Sequence, residues 1–251
     1  MFLLAAPLVV ERIGRRLLAV PQGQLRVVCL EQLLKGAPAL PLVRALACAQ
    51  REAVLGAAHA RVVIETFSQV IVEDRLDEQL RSALVTGALM VGEVAVVPLI
   101  DRGAANDSEG DARSDKAKRG SLAHAGETLG RRKSLARTVT GDLLLQILDD
   151  PHPDVIRNAL VNPRLLEAHV VRVAARRPVP PAVLDAVAKS RFISAHAVRR
   201  ALVLNPDCPP KLACRLIATM TAADLLDIVS ANGVGLEAKN AAALLLKRPG
   251  R

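Results

Sequence analysis

The chain has almost no aromatic side chains: its 251 residues include three phenylalanines and neither tryptophan nor tyrosine. Since 51% of the residues are nevertheless hydrophobic, the core has to be built from leucine, valine, isoleucine and alanine. Recognition of a single strand or of a flipped base relies on stacking against aromatic rings. The composition therefore argues against those activities and suits closely packed helices.

The sequence also lacks the short patterns that carry chemistry. It contains no G-x-S-x-G elbow, no phosphate-binding glycine loop and no dinucleotide fingerprint. His169 and His196 have no second ligand-type residue one helical turn later, and His152 is interpreted as a turn residue between two prolines. We therefore expect a non-enzymatic protein that holds no cofactor and no metal.

Long apolar segments and paired cysteines are missing as well. The four cysteines form no C-x-x-C pair, which argues against zinc and iron–sulfur sites and favours reduced thiols in a cytoplasmic protein. The longest apolar stretch, 83–100, is interrupted by Glu93 and Pro98. This stretch favours a buried helical hairpin over a membrane span.

The first hundred residues predict helices separated by turn signals. In 24–34, for example, apolar residues recur at helical spacing before Gly36. We interpret 1–100 as a helical N-terminal domain, and its segment 84–100 resembles the second half of a HEAT-type repeat. The other predicted helices are 2–19, 41–55, 59–72, 77–90 and 93–100.

A polar segment interrupts this pattern at 101–127, where glycine, serine, aspartate and lysine dominate. Such a segment buries too little apolar surface to offset its ordering entropy, so we predict a flexible, disordered linker. A helical repeat domain is expected over 128–251. The basic clusters at 116–119 and 131–133 are interpreted as solvated, with an electrostatic anchor, a localisation signal or a kinase site at Ser134 as alternatives.

The second half of the chain repeats itself. Residues 154–175 align with 197–218 if Leu204 is skipped, and Asn-Pro pairs at 162–163 and 205–206 are each expected to cap a helix. A unit that recurs and stacks on its neighbour is typical of a solenoid. The sequence thus predicts an all-α fold of stacked short helical pairs, an α-solenoid with a helical N-terminal half and a disordered internal linker.

The order of a short helix, an Asn-Pro pair, a Pro-Pro turn and a leucine- or valine-bearing helix resembles bacterial leucine-rich repeat variant proteins. More broadly, it resembles HEAT-like α-solenoids, over about 142–247. The resemblance implies a stacked-helix scaffold. The cysteine-ligated iron–sulfur cluster of some members has no matching cysteines here and is not carried over.

Positive charge is concentrated in the repeat half: of the formal net charge of +9, residues 143–251 contribute 15 basic and 9 acidic side chains. Equivalent positions of a solenoid lie on one face, so the alignment predicts a basic ladder. We expect a scaffold that binds a protein with an acidic surface; the alternatives are nonspecific nucleic-acid binding or arginines that only cover helix sides. The predicted partner-binding residues are Arg157, Arg172, Arg199, Arg200 and Arg215.

Overall fold

A computed structural model describes residues 5–21, 23–101 and 127–247. Within these ranges the chain forms fifteen α-helices and two short 3₁₀ helices and contains no β-strand, which confirms the all-α fold class. No helix among them has the length and apolar character needed to cross a membrane. The segment 101–127, expected to be a linker, lies outside the described residues except for its two end positions.

The helices of the N-terminal half begin and end close to the predicted positions. Pro7 lies in the first turn of the first helix, and Asp77 caps the fifth by accepting a hydrogen bond from the Gln79 backbone N–H at 2.9 Å. The helices are α1 (Ala6–Leu18), α2 (Gly23–Leu34), α3 (Ala39–Val54), α4 (Ala58–Val72), α5 (Glu78–Met90) and, after a 3₁₀ turn (Val94–Val96), α6 (Val97–Ile100).

Nine further helices follow residue 127, and they are shorter than most of those before it. A second 3₁₀ turn (Arg191–Ser194) precedes the sixth of them. They are α7 (Leu129–Thr138), α8 (Asp142–Leu148), α9 (Pro153–Ala159), α10 (Glu167–Ala175), α11 (Pro181–Ala188), α12 (His196–Val203), α13 (Pro210–Ile217), α14 (Ala222–Ser230) and α15 (Leu236–Leu246).

These helices divide into two compact units, and the division differs from the one drawn from the sequence. The first unit combines Met1–Gly103 with Pro210–Arg251, and the second is Ala104–Pro209. In the first unit α13 packs on α6, α15 packs on α3, and Ala218 joins the apolar core of the N-terminal helices. Such contacts join segments that are far apart along the chain, so they leave no local signal in the sequence. The sequence had therefore predicted one domain over 128–251.

Helices α1 and α4 approach each other closely at Gly14. A Cβ atom at this position would lie 2.3 Å from the carbonyl oxygen of His59. Around the contact, Val10, Leu17 and Phe67 are almost completely buried. Glycine is therefore required here by the distance between two backbones, since any side chain would displace α4.

The second unit consists of two consecutive three-helix repeats, α7–α9 and α10–α12. In each repeat the first helix packs on the third, and across the repeat boundary α9 packs on α11 and α10 on α8. Helix contacts thus recur with a period of three helices, where the sequence had indicated pairs. The predicted second repeat, 197–218, is divided, because 197–209 belongs to the second unit and 210–218 to the first. In the first unit, α13 packs on α15 in the same way.

The repeated asparagines make the same contacts in both repeats. Each is buried, and each Oδ1 accepts a hydrogen bond at 2.9 Å from the backbone N–H two residues later. Each Nδ2 donates to two carbonyl groups at the end of the first helix of its repeat, which otherwise lack donors. The acceptors are Ala136 and Val139 for Asn162, and Ala174 and Arg176 for Asn205, at 2.7–3.1 Å. The asparagines therefore close a helix end, where the sequence had predicted a helix start.

Candidate functional site

Backbone hydrogen bonds correct the alignment on which the basic ladder was predicted. The Asn162 N–H donates to Ala159 O, and the Asn205 N–H donates to Leu202 O. Leu202 therefore corresponds to Ala159, and no residue is skipped. A one-residue shift turns a helical position by about 100°. With this register Arg157 corresponds to Arg200, whereas Arg199 takes the place of a buried isoleucine, Ile156.

The predicted ladder is consequently not an exposed row. Arg199 is only 4% exposed, and its Nη1 donates to the carbonyl oxygens of Ile193 at 3.1 Å and Ser194 at 2.8 Å. Arg215 is 9% exposed and belongs to α13 of the first unit. Arg199 closes the end of the 3₁₀ turn, because the carbonyl groups there need donors. Arg200 is half-buried on α12.

Several other arginines of the second unit also serve the fold. Their guanidinium groups donate to carbonyl oxygens at helix ends, where the last carbonyl groups have no partner within the helix. Burial lowers the pKa of Arg176, the most enclosed of them. The pairs are Arg176 with Leu148, Arg177 with Leu204 and Arg191 with Asn162, at 2.7–3.1 Å.

Basic side chains cluster on α7 and α9, where Arg137 and Arg157 are exposed and Lys133 is half-buried. We call these three residues, together with their partners Asp154 and Asn158, the α7–α9 basic surface. Lys133 Nζ lies 2.7 Å from Asp154 Oδ2, and Arg157 binds the other oxygen of the same carboxylate. One turn after Lys133, Arg137 donates to Asn158 Oδ1 at 2.5 Å. Two cations thus share the carboxylate of Asp154, and a third lies one turn away on Asn158. The hydrogen bond from Lys133 holds the pKa of Asp154 below its usual value.

The same excess of cations occurs where the two repeats meet. Arg172 donates to Asp149 Oδ2 at 3.2 Å, and Arg176 lies 3.9 Å from Asp149 Oδ1. The neighbouring Asp150 is buried and accepts from Arg132 and from the His152 N–H. The paired acids are therefore structural, and the exposed Arg172 remains part of a positively charged surface.

Sequence reasoning identified Arg157 and missed its neighbours on α7. Lys133 had been assigned to a solvated cluster, and Arg137 had not been considered. Their spacing of four residues on a predicted helix places them on one face, and this signal was available in the sequence. Their position beside Arg157 was not, because it depends on how α7 packs on α9.

In the first unit, an open groove of about 630 Å³ runs along α5. At one end lie Leu40, which is 44% exposed, and Met90, which is 77% exposed. Small side chains form much of the remaining wall. The residues that line this α5 groove are Leu40, Glu78, Gln79, Ser82, Ala83, Thr86, Gly87 and Met90.

A thiol, a carboxylate and an imidazole meet between α3 and α4. Cys48 Sγ donates to Glu52 Oε1 at 3.4 Å, and His59 Nε2 lies 3.0 Å from Glu52 Oε2. Burial, reinforced by the hydrogen bond to Glu52, raises the pKa of the Cys48 thiol to about 11. The thiol is therefore protonated near neutral pH, and this cluster is a poor source of a nucleophile.

The elevated pKa of Cys48 predicts a pH-dependent stability. Between about pH 9, where a thiol in the unfolded chain ionises, and about pH 11, the unfolded state binds fewer protons than the folded state. The free energy of unfolding should consequently fall as the pH rises through this range. In urea unfolding at pH 8, 9 and 10, Cys48→Ala is expected to decline less steeply than the wild type; parallel declines would contradict the assigned pKa.

Among residues 5–21, 23–101 and 127–247, no three histidine, cysteine, aspartate or glutamate side chains are placed to hold a metal ion. Comparison of the chain with protein-family models, with curated proteins and with solved structures gave no match in any of the three.

Proposed function

We propose that the protein is a non-enzymatic helical-repeat scaffold that binds an acidic segment of a partner protein through the α7–α9 basic surface. This proposal rests on one observation: Lys133 and Arg157 share the single carboxylate of Asp154, while Arg137, one turn after Lys133, donates to the neutral side chain of Asn158. Among the described residues, one carboxylate contacts these three cations, which leaves two positive charges on the surface. A carboxylate-rich segment supplies the missing negative charge.

The arrangement also favours binding through preorganisation. The Arg157 side chain is 62% exposed, and Lys133 is 34% exposed, yet contacts with Asp154 hold both cations in place. Side chains that are already ordered lose less conformational entropy when they bind a partner. The two helices that carry them pack on each other, which fixes the spacing between the cations.

The proposal predicts a specific loss of partners when this surface is reversed in charge. The double variant Arg137→Glu/Arg157→Glu is expected to recover its partners about tenfold less efficiently than the wild type, since attraction is replaced by repulsion. The measurement is affinity purification with quantitative mass spectrometry. The matched control is Arg12→Glu/Arg16→Glu, which reverses two exposed arginines of α1.

Equal recovery by both double variants would refute the proposal.

A gel shift with a mixed-sequence 20-base-pair duplex (roughly two helical turns) at low and moderate salt distinguishes nucleic-acid binding from binding of an acidic protein segment. If the surface binds nucleic acid, the duplex is retarded at low salt, and the retardation falls steeply with added salt and is lost in Arg137→Glu/Arg157→Glu. That result would show that the surface binds phosphates instead of an acidic protein segment.

A further inference from the structure

The α5 groove, about 630 Å³ in volume, follows one face of α5. Its floor forms where α5 approaches α3: a Cβ atom added at Gly87 would lie 3.3 Å from Leu40 Cδ2 and 3.6 Å from Val43 Cγ2. Along α5, Ser82, Ala83 and Thr86 continue this face with small side chains. Small side chains at helical spacing let a second helix approach closely, and α5 offers about three and a half turns for contact.

One end of the groove is apolar and exposed. Met90 is 77% exposed, and Leu40 across the groove is 44% exposed. Single exposed apolar side chains are ordinary, but two large ones that face each other across a groove favour a contact site. Methionine adapts to partners of different shape, which suits such a site.

The opposite end of the groove is acidic. Glu78 lines the groove, and Asp74 and Asp77 lie in the preceding turn. Arg81 binds Asp74 Oδ1 at 3.0 Å and Glu78 Oε2 at 2.9 Å, but its own side chain is only 8% exposed. Residues 73–81 carry four carboxylates and two guanidinium groups, those of Arg75 and Arg81, so this end is net negative in a chain whose net charge is +9.

We infer that the α5 groove binds an amphipathic helix of a partner protein, with large apolar side chains over Met90 and Leu40 and lysine or arginine over Glu78. A helix that lays its apolar face into a groove is a recurring mode of recognition, and its basic end complements the acidic turn. This inference does not depend on the proposed function. It concerns another unit of the chain and a partner of the opposite charge.

Three labelled peptides of about 14 residues, enough for a four-turn helix, test the inference by fluorescence anisotropy with the full chain. One is a leucine–lysine amphipathic helix, one is its leucine–glutamate counterpart, and one is the lysine peptide with two central prolines. The lysine helix is expected to bind about tenfold more tightly than either of the others. The net charge of the chain alone predicts the reverse order, so this preference identifies the groove.

Variants then locate the binding. Ala83→Arg, which fills the groove from an exposed position, is expected to weaken the lysine helix about tenfold, and Thr86→Arg provides a second variant should the first one fold poorly. Glu78→Lys should reduce the affinity for the lysine helix but not the affinity for the glutamate helix. The matched control is Leu236→Arg, since Leu236 is 73% exposed on α15 and does not line the groove.

Three results would overturn the inference. The first is equal affinity for the lysine and glutamate helices, and the second is an affinity that Ala83→Arg and Thr86→Arg leave unchanged. The third is a dimer in sedimentation velocity that Ala83→Arg dissociates, because the occupant of the groove would then be a second copy of the chain.

Discussion

Gly14→Ala is expected to destabilise the first unit by about 3 kcal/mol or more, and Gly14→Val by still more. The added Cβ would lie 2.3 Å from the carbonyl oxygen and 2.7 Å from the carbonyl carbon of His59. Both are backbone atoms, so no rotation of a side chain relieves the overlap. Helices α1 and α4 would have to separate, and the core between them would lose its packing.

Urea unfolding followed by circular dichroism measures this loss as a lower midpoint. Gly23→Ala is the matched control, because Gly23 lies in a helix of the same unit and a Cβ there would meet no atom within 4 Å. It should leave the midpoint nearly unchanged or raise it slightly. A Gly14→Ala variant as stable as Gly23→Ala would show that α1 and α4 do not approach as described.

Asn205→Ala is expected to cost about 3 kcal/mol of stability in the second unit. The side chain is 2% exposed, and its Nδ2 donates to two carbonyl groups while its Oδ1 accepts from the Asp207 N–H. Alanine leaves all three buried polar groups without this partner, and each unsatisfied group costs about 1–3 kcal/mol before relaxation. The same contacts predict a similar loss for Asn162→Ala.

The midpoint of thermal unfolding measures the stability lost with the asparagine hydrogen bonds. Asn205→Asp keeps the acceptor oxygen and loses the Nδ2 donor, so it tests whether the two hydrogen bonds donated by Nδ2 account for the lost stability. Asn240→Ala, at an exposed position of α15, is the control and should change the midpoint little. If Asn205→Ala were no less stable than Asn240→Ala, the asparagine contacts would not stabilise the repeats.

The repeat itself was visible in the sequence, but its register was not. Matching identical residues favoured a skip at Leu204, because this paired the Ala-Leu-Val run at 159–161 with the one at 201–203. Burial and hydrogen bonding instead pair Arg157 with Arg200, since Val198 and Leu202 have to face the core. Identity over three residues carries less physical weight than the position of an apolar stripe.

The sequence by itself determined where the helices of the N-terminal half form and end, to within a few residues. Apolar spacing, Pro7, the Asp77 cap and the proline-rich turns act over a few residues, so they can be read locally. It also determined a core without tryptophan or tyrosine. Only the tertiary structure decided which arginines face solvent and that Pro210–Arg251 joins the N-terminal helices. Both depend on contacts between residues distant along the chain, and a one-residue change of register moves a side chain from surface to core.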